Sequence, residues 1–175
     1  MNDHEFRVEI TATARADISR EIRRDWDGRE QGGALVGQFD GDRIVVSNAG
    51  GLGIGVSVPR GNSWVRARVS RQFDFAQACG ADLAGSWHSH PGGTTTNPSQ
   101  EDVAIWQATR RALEVPALVG LILMPRQVRV VGLQSDELAW SFREPEVGEY
   151  LITDDGCHRT RFVLTGSNDY ERSAF

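Results

Sequence analysis

Apolar positions along this chain repeat with two periods, two and roughly four, and the order of those repeats predicts a mixed α/β architecture. Phe6, Val8 and Ile10 alternate with polar residues through EFRVEITAT, the pattern of a half-buried strand. Ala14, Ile18, Ile22 and Trp26 then recur every four residues, which predicts an amphipathic helix with its charges outward, broken at Asp27-Gly28. GGALVGQFDGDRIVVSNA reads as two strands flanking Asp40-Gly41, a dipeptide suited to the positive φ of a tight hairpin turn. The glycine-rich NAGGLGIGVSVPRGNS reads as a surface loop, since it fits no G-x-G-x-x-G phosphate cradle.

The second half continues the alternation. Val65, Val69, Phe73 and Ala76 mark a helix ending at Gly80, and ADLAGSWHSH follows as a buried strand. SQEDVAIWQATRRALE predicts a helix with Ile105, Ala108 and Ala112 inward and Pro116 stopping it, before the central strand ALVGLILM. QVRVVGL and ELAWSFRE read as separate strands. Residues 1–144 then form one domain, and 145–175 an extension with one strand, RTRFVLTG, and a frayed polar end.

Composition narrows the function. A net charge of −5 with interspersed arginines offers no basic stripe for nucleic acid. The N-terminus lacks a signal-like apolar run and no apolar stretch approaches ~20 residues, so the expectation is a cytoplasmic protein without a membrane span. Cys79 and Cys157 lack C-x-x-C spacing and read as buried free thiols. All 19 basic residues are arginine, which removes P-loop, kinase, Ser-x-x-Lys and Schiff-base chemistry. Codon bias is the plain account of the missing lysine; a chain working beside a lysine-targeting conjugation system would also gain by lacking it.

One segment concentrates the chemistry. In GSWHSHPGGTTTNPSQED, His88 and His90 on a strand point to one face, with Cα atoms ~6.6 Å apart, and two imidazoles converge. Catalytic zinc needs a third protein ligand, for which Asp102 on the next helix is the natural candidate. Ser99 and Asp102 also fit a helix capping pattern, and both readings can hold at once. His158 beside Cys157 completes no coordination set and reads as a surface residue.

Glu30 with Gly32 and Gly33, then His88-Ser89-His90-Pro91, then Pro98-Ser99 and Asp102, together resemble the JAMM/MPN metalloprotease pattern E-x-G-G, H-x-H-P, S-x-x-D. The resemblance covers roughly residues 5 to 133. It implies an MPN, cytidine-deaminase-like sandwich: a mixed β-sheet flanked by helices. It implies one Zn²⁺ held by His88, His90 and Asp102, Glu30 as general acid/base and Ser99 as stabiliser of the tetrahedral intermediate. The implied activity is a zinc-dependent isopeptidase or peptidase cutting after the C-terminal glycine of a ubiquitin-like protein, with E1/E2-like enzymes as associated partners. Alternatives are a peptidase acting on a sulfur-carrier protein or its small adduct, and a non-catalytic MPN binding module. Nothing in the sequence fixes the oligomeric state, and no long insertion supports linkage-specific chain cleavage.

Overall fold

The computed structural model describes residues 6–24, 31–51, 62–90, 95–129 and 140–166. They form one eight-stranded mixed sheet, in the order β7-β6-β5-β4-β2-β3-β1-β8, flanked by three helices. The elements along the chain are β1 (Arg7–Thr11), α1 (Ala12–Arg24), β2 (Gly32–Asp40), β3 (Arg43–Gly51), α2 (Asn62–Cys79), β4 (Asp82–Ser89), α3 (Gln100–Leu113), β5 (Leu118–Arg129), β6 (Trp140–Thr153), β7 (Gly156–Arg159) and β8 (Val163–Thr165). No described helix is long and apolar enough to cross a membrane.

The mixed sheet expected from the alternating periods is thus present, and the helices divide between its faces. On one face α1 packs Ala14 and Ile18 against Ile10, Val46, Trp87 and Leu121. On the other, α2 sets Ala76 against Val36 and Leu83, and α3 sets Trp106 against Leu118, Ile122 and Ile152. Leu113 touches both of the latter clusters, so α2 and α3 lie side by side.

Several boundaries differ from the sequence expectation, each for a packing reason. The hairpin turn is Gly41-Asp42, because Asp40 still pairs with Arg43, and only Gly41 takes a positive φ, 62°. Gly50 and Gly51, expected in the loop alone, belong to β3. Gly50 is there because the Phe75 ring occupies its side-chain space, 2.6 Å from where a Cβ would sit. That contact also corrects the inner face of α2: Gln72, Phe75 and Ala76 face inward, while Phe73 is 42% exposed. Gly80, at φ 61°, ends α2 as expected.

On α3 the buried residues are Trp106 and Arg110, not Ile105, Ala108 and Ala112. Ala108 and Ala112 are exposed, because the guanidinium of Arg110 reaches inward to the Val115 carbonyl and Asp154. The helix ends on a left-handed Glu114, φ 54°, before Pro116. Pro125 does not separate two strands; β5 runs through a register shift between Met124 and Arg126. β6 likewise crosses the expected boundary at residue 144 and sends Tyr150 and Ile152 into the core, so the sheet has no break there. Cys79 is exposed at the end of α2 and Cys157 half-buried on the edge strand β7, so neither is the buried thiol expected. His158 is exposed beside Asp155.

Glu9 breaks the alternation of β1. It is 2% exposed, yet Arg43 donates to both its oxygens at 3.0 and 2.7 Å, and that pairing holds its carboxyl below the usual range. Paired in this way, the charge is tolerated at the β1–β3 ladder.

Candidate metal centre

The site begins with an irregularity in β4. Leu35 pairs with Gly85 and Val36 with Leu83, so Ala84 is an extra residue between two rungs. Strict alternation would put Leu83 and His88 on opposite faces. The extra residue restores them to one face, where Ser86 accepts from Trp106 Nε1 at 2.9 Å and the His88 ring lies 5.9 Å from the Trp106 ring. Trp87 therefore points the other way, into the α1 core.

α3 brings the third group. Its N-terminus follows from local chemistry: Ser99 Oγ accepts from the Asp102 amide at 3.1 Å, and Asp102 Oδ2 accepts from the Ser99 amide at 2.7 Å, a reciprocal capping box. The helix sits close to the sheet because Gly120 lacks a Cβ, which would lie 2.6 Å from the Trp106 ring. The cap and this close approach together place Asp102 over His88.

His88 Nε2 and His90 Nε2 are 3.1 Å apart, with Asp102 Oδ1 3.3 Å from the first and Oδ2 3.8 Å from the second. One ligand atom from each residue falls within 4.8 Å of the others, the only such metal-capable group among the described residues. Ligands ~2.0 to 2.1 Å from a tetrahedral ion stand ~3.3 Å apart, so these separations match one face of a zinc-sized site. His90 is oriented by Thr95, whose carbonyl must accept from Nδ1 at 3.2 Å, leaving Nε2 as the acceptor nitrogen facing the group. The donor set of two imidazoles and a carboxylate suits zinc.

Asp102 is held ready for a cation. Burial pushes its carboxyl up, but the hydrogen bond and charge of His88 and the Ser99 hydroxyl and amide outweigh it, holding the group well below the usual carboxylate range. Ser99 spends its hydroxyl proton here, donating to Oδ2 at 2.7 Å. The residue expected to stabilise an oxyanion is thus placed as a cap and a holder of the ligand.

Glu30 lies outside the described residues. Its chain neighbour Gln31 is tied to the segment between the two histidines: the Ser89 amide donates to the Gln31 carbonyl at 2.7 Å, and the Gln31 amide donates to Ser89 Oγ at 2.9 Å. Gly32 pairs with His88.

No local pattern along the chain points to a further support, Tyr150. Its hydroxyl donates to the Thr96 carbonyl at 2.9 Å, anchoring the segment between His90 and Ser99, and Gly148 leaves room for Thr96, 2.6 Å from its missing Cβ. Burial raises the tyrosine pKa and keeps it a donor. Tyr150→Phe should cost ~1 to 3 kcal/mol because a buried carbonyl is left unpaired. It should also weaken metal binding by about tenfold. Thermal unfolding and competition with a chromogenic chelator measure the two effects; unchanged affinity would show that the anchor does not reach the ligands.

A family model described as prokaryotic homologues of the JAB domain matches residues 11–141. Among solved structures, the solution structure of protein DSY2949 from Desulfitobacterium hafniense is similar with a TM-score of 0.56 and 21% identity, covering 96% of this chain and 99% of that one, a likeness of fold. No curated protein matches the chain.

Proposed function

This chain belongs to the prokaryotic homologues of the JAB domain, and from that membership we propose a zinc-dependent peptidase of the isopeptidase type, cutting after the C-terminal glycine of a ubiquitin-like protein. The family includes metalloproteases, and the observation that carries the reading is the convergence of His88, His90 and Asp102 within ion-binding reach. A divalent ion bound there supplies Lewis acidity to the scissile carbonyl and to an attacking water.

The chain's own residues supply the rest. The two imidazoles offer ring nitrogens to the ion, Asp102 stays ionised, and Ser99 keeps that carboxylate from rotating. Glu30, beside the tethered Gln31, takes the proton from water and returns it to the leaving amine. The two hydrogen bonds between Ser89 and Gln31, one through the Ser89 amide and one to its hydroxyl, support that role by fixing the chain next to Glu30 against the histidine strand.

Elemental analysis tests the metal first. The purified protein should carry about one zinc per chain, and Asp102→Ala should lose it while remaining folded, because the half-buried side chain leaves two imidazoles, too few for a catalytic site. A ubiquitin-like protein fused through its terminal glycine to a second protein should be cut by the zinc form and not after chelation. Zinc without cleavage of any such fusion, or of a tag bearing only a small amine adduct, would favour the binding-module reading. A protein unable to hold zinc would end the peptidase proposal.

A further inference from the structure

Behind the sheet from the metal ligands, on the α1 side, a cavity of about 370 Å³ opens between α1 and β6. Its floor is apolar, with Leu121, Leu123, Val147 and Leu164, and Arg15 stands on the helix wall. A second opening shares Val147 and Glu149 with it and is bordered by Arg159 and Arg161, so the two form one groove. The groove ends at β8, the last strand of the sheet, where Val163 and Leu164 are 44% and 43% exposed.

The charge here opposes that of the chain. The protein is net −5, yet three arginines border this groove against one carboxylate, and none of the three makes an ion pair among the described residues. The single carboxylate, Glu149, accepts from the Phe162 amide at 2.9 Å and is outnumbered by the three arginines; burial pushes its carboxyl up in spite of them. A sheet edge with two adjacent exposed apolar side chains is a template for strand addition.

We propose that this groove docks an acidic, extended polypeptide segment of a partner protein, which pairs with the β8 edge, seats an apolar side chain over Leu123, Val147 and Leu164, and sets its carboxylates against Arg15, Arg159 and Arg161. The site is separate from the metal ligands and does not depend on the peptidase reading. A free fatty acid fits less well, because the arginines are spread along the groove, Arg15 on α1, Arg159 at the end of β7 and Arg161 between β7 and β8, as suits several carboxylates rather than one.

The test uses a short fluorescent peptide alternating Asp or Glu with Leu or Val, with two controls: the acids replaced by Arg, and the apolar residues by Ser. Anisotropy should show saturable binding of the first peptide alone, weakened by added salt. The double variant Arg159→Glu/Arg161→Glu should lose about tenfold or more in affinity. Leu164→Asp, an exposed position, should lose a similar factor, and both variants should bind as much zinc as the wild type. Equal affinity for the charge-reversed protein, no saturable binding of the acidic peptide, or full displacement by octanoate or inorganic phosphate would overturn the proposal.

Discussion

Glu30→Gln should leave the fold and the zinc content unchanged while lowering kcat/KM for cleavage of a glycine-linked fusion by ~10² to 10⁴, the range of general acid–base catalysis. The amide is nearly the size of the carboxylate but cannot accept a proton. None of the three metal-capable side chains is altered, and neither are the Ser89–Gln31 hydrogen bonds, so binding and catalysis separate cleanly. Zinc content, unfolding temperature and steady-state rates on one preparation decide the matter. Loss of less than tenfold would assign the proton transfer to another group; loss of zinc would make Glu30 part of the ion's support.

Gly33→Ala should be the most damaging small substitution in the described core. The added methyl would lie 1.6 Å from the Gly50 carbonyl oxygen and 2.6 Å from Trp87 Nε1, and no side-chain rotation relieves a clash with backbone. Trp87 crosses β2 at this glycine to donate to the Gly50 carbonyl at 3.2 Å, so the methyl would break that bond or spread β2 from β3. The expected cost is ~3 kcal/mol, an unfolding temperature lower by roughly 6 to 12 °C. Because Gly32 pairs with His88, zinc affinity should fall as well. A shift below one degree would show that β2 adapts.

The two glycines of the E-x-G-G motif therefore have physical reasons that the motif alone does not state. Gly33 lets Trp87 pass, and a Cβ at Gly32 would sit 2.8 Å from the Trp87 carbonyl, at the rung carrying His88. Gly120 does the same beneath Trp106.

Features settled by near neighbours were legible without coordinates. Strand period two brings His88 and His90 together, and Ser99 with Asp102 announces a helix start, because both arise within a few residues of chain. The order of strands and helices as far as the start of β5, the pairing of β2 with β3 and the end of α2 at Gly80 followed in the same way.

Features set by contact between distant segments were not. Phe75 rather than Phe73 turns inward because Gly50 offers it a place, and Arg110 rather than Ala108 because Val115 and Asp154 accept its hydrogen bonds. β6 continues past residue 144 because β5 pairs with it as far as Ile152. The tertiary structure alone decided where the histidines face relative to the rest of their strand. One extra residue at Ala84, visible only in the pairing with β2, carries them to the side where α3 delivers Asp102. The sequence determined which three side chains could hold an ion, since residue type and local period fix donor atoms and spacing. Their meeting at a single point depended on register and packing, which no local run of residues encodes.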